Sequence, residues 1–328
     1  MELFRALAVL AEPPERPEVA RLAELLDLGK PPSASEYTET FVFQLYPYAS
    51  VYLGAEGMLG GEARDRVAGF LSALGLAPPH EPDHLSTLLA TYAQLSAPEE
   101  DEGGTDEVER GADETKLRAY EDERGTDEVE RGAGDDERAA RRRAGRSAAR
   151  RAFLWEHILS WLPAYLDKLA EIAPPFYRRW GELLMSALVE EARASVPPGA
   201  LPLHLREAPH VSDPRATSPD EFLQSLLAPA RSGVILVRAD LARAARSLGT
   251  ALRAGERKFA LKSLIGQDAC GALAWLAEEA SRVAALHVAR RDALGGVAEW
   301  WSARARTTER LLRELKSDAE SRVEEAQT

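Results

Sequence analysis

Hydrophobic residues recur every three or four positions along most of the chain, which is the spacing of amphipathic helices. The clearest apolar stripe covers residues 153–169, and another follows over residues 180–188. Strand-like runs are nearly absent, since the two best ones, residues 51–53 and 234–237, both continue into helical patterns. The pattern therefore predicts an all-α protein built around a helical bundle.

Capping residues and prolines predict where helices begin and end. Residues 81–83, Glu-Pro-Asp, open a helix that runs towards Leu95, with proline near the first turn. Residues 218–221, Ser-Pro-Asp-Glu, open another helix, with serine as the cap and glutamate at the third helical position. Residues 201–217 carry three prolines and are predicted to be a linker.

One segment differs from the rest because it is polar throughout. Residues 99–137 contain 18 acidic and five basic residues, and residues 138–151 contain seven arginines and no acid. The sequence Gly-Thr-Asp-Glu-Val-Glu-Arg-Gly-Ala occurs at residues 104–112 and again at 125–133. Two copies of so polar a unit cannot stack into a solenoid, which needs apolar faces. Residues 99–151 are predicted to be an acidic-then-basic insert that is disordered, or loosely helical in its acidic part, and that acts as a solvated spacer or alternatively masks a binding surface.

These boundaries divide the chain into five parts. The C-terminal part also holds a cluster of basic residues that forms either a solvated helix face or a contact for an acidic partner: Arg253, Arg257, Lys258 and Lys262. The predicted parts are the N-terminal half of a helical core (1–98), the insert (99–151), the C-terminal half of the core (152–200), the linker (201–217) and an additional helical domain (218–328).

Composition excludes several classes of protein. A net charge of −13 and a pI of about 5.1 argue against a general nucleic-acid-binding protein. The single cysteine, Cys270, cannot form an intrachain disulfide or a multi-thiolate metal site. Residues 1–11 are predicted to form a first helix and lack the features of a signal peptide. No apolar stretch reaches the length that is needed to span a membrane. We therefore expect a cytoplasmic protein without stable membrane insertion.

Motifs for catalysis are absent from the sequence. It has no Walker-type phosphate loop, no dinucleotide-binding glycine pattern and no nucleophile elbow. His80 and His84 have the spacing of a helical metal pair, but Pro79 and Pro82 keep His80 off the helix. Asp83 beside His84 has no nucleophile nearby in sequence. We predict no catalytic and no metal-binding residues, and hence a protein that is not an enzyme.

Two short motifs resemble those of a known family. Residues 81–85, Glu-Pro-Asp-His-Leu, precede an apolar helix and resemble the E-P-x-D-H-L hinge motif of the TorD-like redox-enzyme maturation chaperones. Residues 153–162, Phe-Leu-Trp-Glu-His-Ile-Leu-Ser-Trp-Leu, are similar to that family's F-x-x-x-H-L-L-P-W-L helix, with Ser160 in place of proline. The resemblance covers residues 37–194. The polar insert and the region from Ser218 onwards depart from the family pattern.

The resemblance implies a TorD-like helical bundle and a function. Such a protein is a cytoplasmic assembly chaperone that binds the leader, twin-arginine or other, or the apo form of a molybdenum-cofactor oxidoreductase and holds it for cofactor insertion. The resemblance implies no stably bound cofactor and at most transient contact with molybdopterin cofactor or guanine nucleotide. The long insert would permit a domain-swapped homodimer. The alternative is a helical scaffold or accessory subunit that stays in a mature redox complex.

A leader with an arginine pair and an apolar helix requires an apolar groove edged with carboxylates. Aromatic side chains of the matched region are candidates for the groove, although burial in the core is the alternative for each, and acidic residues of the two motifs are candidates for meeting the arginines. The predicted client-binding residues are Glu81, Asp83, His84, Tyr46, Tyr52, Glu156, His157 and Trp161, with Tyr48 as a further aromatic candidate.

Overall fold

The computed structural model describes residues 2–97, 125–252 and 255–327, and the fold over these residues is all-α, as predicted. No β-strand occurs among them, and the only ladder-like pairing there is an isolated bridge between Tyr48 and His84. The helices are α1 (Glu2–Leu10), α2 (Pro17–Leu25), α3 (Ala34–Tyr37), the π-helix π1 (Thr38–Gln44), α4 (Ala49–Leu53), α5 (Gly61–Ala73), α6 (Leu85–Ser96), α7 (Gly125–Phe153), the π-helix π2 (Leu154–Ile158), α8 (Leu162–Ile172), α9 (Pro175–Ala194), α10 (Leu203–Glu207), α11 (Pro219–Leu227), α12 (Pro229–Ser232), α13 (Arg238–Leu248), α14 (Arg257–Gln267), α15 (Ala269–Ala289), α16 (Arg291–Leu294) and α17 (Gly296–Gln327).

The first hydrophobic core joins helices from both predicted halves of the bundle. Helix α1 packs on α6, and α8 packs on α9. The ring of Phe4 meets that of Tyr92 edge-on at 5.0 Å, and the indole of Trp180 donates to the carbonyl of Leu7 at 3.2 Å. Buried aromatic rings therefore lock the N-terminal helices onto the second half of the bundle.

The second motif does not form the continuous helix that its periodicity predicts. After π2 the chain turns at residues 159–161, and α8 begins at Leu162. The Ser160 hydroxyl donates to the Glu156 carbonyl at 2.7 Å, and the Trp161 indole donates to the His157 carbonyl at 2.9 Å. These bonds take up backbone acceptors that the interrupted helix leaves free.

The polar insert ends earlier than its composition suggests. Residues 98–124, with the first repeat copy, lie outside the described residues. The prediction of disorder up to residue 151 is wrong for residues 138–151, which are helical within α7. Arg146 donates to the Gln94 carbonyl at 2.6 Å, and Arg150 is paired with Glu191 on α9. The arginines lie towards the C-terminal end of α7, where positive charge suits the helix dipole. The masking of a surface by the acidic block concerns side chains outside the described part.

The C-terminal region has a second hydrophobic cluster, in which α15 and α17 pack along each other. It also contributes to the first core, because Ile235, Val237 and Trp301 are buried there. The Trp301 indole donates to the carbonyl of Ser160 at 2.8 Å. The Ser218 cap on α11 is confirmed, since its hydroxyl accepts the Glu221 amide at 3.1 Å. Residues 218–327 thus lie directly against the bundle.

A buried group of charges, here called the seam cluster, joins α8 to the C-terminal helices. The ammonium of Lys168 lies 2.7 Å from Glu171, 3.0 Å from Asp240 and 3.3 Å from Glu279. Lys168, Asp240 and Glu279 are 3%, 0% and 6% exposed. Asp240 also accepts the amide of Val237 at 2.9 Å, which fixes the start of α13. The cluster is completed by two half-exposed guanidinium groups, Arg243 and Arg282.

Each ionised group of the seam cluster is stabilised in its charged form by its oppositely charged neighbours. Burial acts to lower the pKa of Lys168, but Asp240, Glu171 and Glu279 outweigh it and raise that pKa. Burial acts to raise the pKa of Glu279, yet Arg282, Lys168 and Arg243 bring it down to about 2. The three carboxylates lie within 4.8 Å of one another, a spacing suited to a cation. The Lys168 ammonium supplies that positive charge from within the chain.

Candidate functional site

The hinge motif forms a tight turn that precedes α6 and runs beside the segment preceding α4. The amide of Leu85 donates to the Pro47 carbonyl at 2.8 Å, and the amide of Ala49 donates to the Asp83 carbonyl at 3.0 Å. These bonds hold two loops together that are separated by more than thirty residues in sequence. The motif thus fixes the relative position of α4 and α6.

The side chain of Asp83 also helps to hold α4 in position relative to α6. It is 2% exposed, and its Oδ2 accepts the amide of Ser50 at 3.1 Å in the first turn of α4. Tyr48, the residue at the cap position of α4, offers no side-chain cap. Asp83 therefore caps α4 although it is remote in sequence. Its carboxylate supplies the hydrogen-bond acceptor that the first turn of the helix lacks.

His84 has the corresponding role for α6. It is 8% exposed, and its Nδ1 accepts the amide of Ser86 at 3.2 Å, so the imidazole is the cap of the helix. Burial lowers the pKa of His84, although Glu12, Glu81 and Asp83 act to raise it. A neutral imidazole keeps the lone pair that the cap requires.

The exposed side of the hinge combines carboxylates with half-buried aromatic rings. The ring of Tyr48 meets that of His84 edge-on at 4.8 Å. Burial, a hydrogen bond to Glu81 and its charge raise the pKa of Tyr48 to about 12. The pKa of Tyr37 is raised to about 12 by burial and by the charges of three carboxylates. We call this surface the hinge patch, and its members are Tyr37, Tyr48, Glu12, Glu15 and Glu81.

The hinge patch suits a guanidinium group. Carboxylates form charge-assisted hydrogen bonds with arginine, and aromatic faces attract cations. Sequence reasoning found Glu81 and Tyr48 but missed Tyr37, Glu12 and Glu15. No motif marks these three, because tertiary packing alone brings α3 and the segment between α1 and α2 beside the hinge turn.

Three of the predicted residues are buried in the core. Tyr52 stacks on Trp161, with ring centroids 5.1 Å apart and planes 9° apart, and its hydroxyl donates to the Tyr46 carbonyl at 2.7 Å. Trp161 is 0% and His157 5% exposed. Burial and the nearby charge of His204 lower the pKa of His157 to about 3, and its Nδ1 has no hydrogen-bond partner among the described residues. These side chains therefore belong to the core and cannot contact a client directly.

The last two predicted residues are half-buried and lie elsewhere. The Glu156 carboxylate accepts the amide of Leu203 at 3.0 Å and so holds α10 against π2. Tyr46 lines a groove beside the C-terminal helices. The eight predicted residues therefore do not line one common groove: Glu81 belongs to the hinge patch, and Asp83, His84, Tyr52, His157 and Trp161 are buried.

The chain was compared with known families and proteins. Residues 12–122 match the family described as nitrate reductase delta subunit, a family of the TorD-like chaperone type. This match confirms the family predicted from the hinge motif; it begins before residue 37 and ends before the second motif at residues 153–162. No curated protein matches the chain. Among the described residues, none of the helices has the length and apolar character needed to cross a bilayer.

Proposed function

We propose that this chain, whose residues 12–122 match the nitrate reductase delta subunit family, is an assembly chaperone for a molybdenum-cofactor oxidoreductase. It binds the leader or the apo form of that enzyme in the cytoplasm and holds it for cofactor insertion before export or assembly. The family match supports the chaperone role. The hinge patch supports the mode of recognition.

Recognition in this proposal depends on one observation, the exposure of Glu81 beside Tyr48 at a rigid turn. A client segment with arginine side chains would place a guanidinium group between the carboxylates and over the aromatic rings. The Glu12 carboxylate accepts a hydrogen bond from the Ser86 hydroxyl and lies 3.8 Å from the exposed guanidinium of Arg16. An incoming arginine would therefore compete with Arg16 for this carboxylate.

The other motif residues act on client binding through position. Asp83 and His84 cap α4 and α6 and thereby fix the turn that carries Glu81. Tyr52 and Trp161 stack on each other in the core and so support α4, the helix that Asp83 caps. Replacing any of these four would disturb the patch by moving the backbone, whereas replacing Glu81 would remove a direct contact.

The binding experiment uses a fluorescent peptide with adjacent arginines followed by an apolar run, and it measures fluorescence anisotropy with the full chain. We expect Glu81→Gln to weaken binding about threefold to fivefold at low salt, and less at high salt. The matched control is Glu24→Gln, which removes an exposed carboxylate on α2, outside the patch. Equal affinities of the two variants, or unchanged binding of a peptide with alanines in place of the arginines, would show that the patch is not the site.

The cellular experiment tests the chaperone role itself. A tagged chain should co-purify with a cofactor-free molybdenum-enzyme subunit and should be absent from the mature, active complex. Stoichiometric retention in that complex would instead identify an accessory subunit. Asp83→Asn should lower both client capture and thermal stability, whereas Glu81→Gln should lower capture alone.

A further inference from the structure

A groove of about 550 Å³ lies where the first half of the bundle meets the C-terminal helices, on a different surface from the hinge patch. We call it the seam groove. One wall belongs to π1 and the loop after α4, and the other to α11 and the first residues of α13 and α14. Its apolar lining consists of Phe43, Tyr46, Val51, Met58, Leu59 and Leu227.

Large apolar side chains at the seam groove are unusually exposed. Phe43 is 47%, Met58 64% and Leu59 56% exposed. Met58 and Leu59 lie on a loop that is fixed at Gly57, where φ is 61° and an added Cβ would lie 2.9 Å from the Cα of Ala228. The loop therefore holds both side chains out of the core in a defined position. Exposed apolar side chains grouped along a groove are typical of a protein interaction site.

Basic residues lie at the helix ends that face this groove. Arg238 is the first residue of α13, and Arg257 and Lys258 are the first two residues of α14. The N-terminal end of a helix carries partial positive charge, so cations there are unfavourable for the helix. Helix α14 has no acidic residue in its first turn and no side-chain cap to offset them.

The chain neutralises these cations incompletely. Lys258 is paired with Asp220, but Arg238 and Arg257 have no ion-pair partner within the described residues. Arg257 is half-buried and donates to the Leu236 carbonyl at 2.8 Å. Burial lowers its pKa, and the charge of Arg238 lowers it further, against the opposing effect of Tyr52 and Tyr46.

Acidic residues of the chain also reach the groove. Glu56 accepts a hydrogen bond from the side-chain amide of Gln224 at 2.8 Å, and Glu256 lies immediately before α14. Lys258 is neutralised by Asp220, but Arg238 and Arg257 have no ion-pair partner among the described residues, so the helix-end side of the groove is positive in a chain whose net charge is −13. An anionic group of a ligand would therefore be attracted to these guanidinium groups.

We propose that the seam groove docks an acidic, apolar peptide segment of a partner protein. Apolar side chains of the segment would cover Phe43, Met58 and Leu59, while its carboxylates would pair with Arg238 and Arg257 at the two helix ends. This inference goes beyond the proposed function, since the hinge patch has the opposite charge and would bind arginine.

The test uses a fluorescent peptide of leucines and aspartates and the full chain, with anisotropy as the readout. The double variant Arg238→Gln with Arg257→Gln should weaken binding about fivefold. The matched control is Arg246→Gln with Lys262→Gln, which removes the same charge from the same two helices at exposed positions outside the groove. This control should bind the peptide as the unmodified chain does.

The apolar contribution is tested separately with Met58→Ser, against Leu25→Ser as a control at a position that is 75% exposed on α2. Met58→Ser alone should weaken binding. The proposal is overturned if the two charge variants bind equally, if a peptide with lysines in place of aspartates binds as well, or if inorganic phosphate displaces the peptide while Met58→Ser has no effect. Binding of the arginine peptide to the hinge patch is measured in parallel, so failure at one site is distinguishable from failure at the other.

Discussion

Replacing Lys168 with methionine should strongly destabilise the chain, because it removes the central charge of the seam cluster. The ammonium lies 2.7–3.3 Å from three carboxylates and is 3% exposed. Methionine has a similar length but cannot pair with them. Asp240, which is fully buried, would then keep only Arg243 as a cationic partner within 4 Å.

The expected magnitude follows from the separations and the burial. Each charge pair at these distances contributes about 5 kcal/mol at an effective dielectric constant of about 20. Desolvation of the buried ions offsets much of this attraction, so the intact cluster contributes little net stability. Removing one partner leaves the carboxylate desolvation uncompensated, which costs about 3–5 kcal/mol. This is a large part of the roughly 5–15 kcal/mol that stabilises a typical protein.

Urea unfolding followed by circular dichroism and tryptophan fluorescence would measure the change in free energy. Lys262→Met, which removes an exposed lysine on α14, should change stability by no more than about 0.5 kcal/mol. Adding Asp240→Asn to Lys168→Met should recover part of the loss, since it removes the most buried carboxylate of the cluster. A loss below about 1 kcal/mol for Lys168→Met would refute the reasoning that Lys168 compensates these carboxylates.

Two further predictions concern the seam. Gly57→Ala should lower the free energy of unfolding by about 1–3 kcal/mol, because φ is 61° and the new Cβ would contact Ala228. The control, Gly69→Ala, has open space around it in α5 and should stabilise the chain by about 0.5–1 kcal/mol in the same urea assay. The pKa of Glu279 is about 2 in the folded chain against an ordinary value of 4.5, so its stabilising contribution is full above pH 4.5 and is lost as pH falls towards 2. Urea midpoints measured across that range should fall less steeply for Glu279→Gln, and an identical slope would contradict this assignment.

Local patterns in the sequence were sufficient to predict helices but not their interruptions. The spacing of apolar residues predicted the all-α fold correctly, and the Ser-Pro-Asp-Glu signature predicted the Ser218 cap, because both depend only on neighbours in sequence. It could not show that residues 153–169 turn at Trp161, because π-helical and α-helical turns bury similar faces. It also assigned the arginine-rich residues 138–151 to the insert, although Arg146 and Arg150 find partners on other helices.

The candidate site was predictable only in part, for a related reason. The hinge motif marked Glu81, Asp83 and His84, but sequence does not distinguish a carboxylate that contacts a partner from one that caps a distant helix. Asp83 and Glu81 differ by two positions, yet one is 2% exposed and the other faces solvent. The roles of Asp83 and Glu81 differ because the hinge turn is hydrogen-bonded to the loop before α4, which buries Asp83 and leaves Glu81 exposed.

The residues of the seam cluster, in contrast, are recognisable in the sequence as charged residues within apolar helical stripes. Lys168 follows Trp161 and Tyr165 on the apolar stripe of α8, at helical spacings of four and three residues. Asp240 lies among the apolar positions of α13 in the same way, and Glu279 among those of α15. A charge within an apolar stripe requires an opposite charge from another element, since it cannot be buried unpaired. One lysine and two acids in such positions therefore predict that α13 and α15 pack against α8, which places the C-terminal region on the bundle.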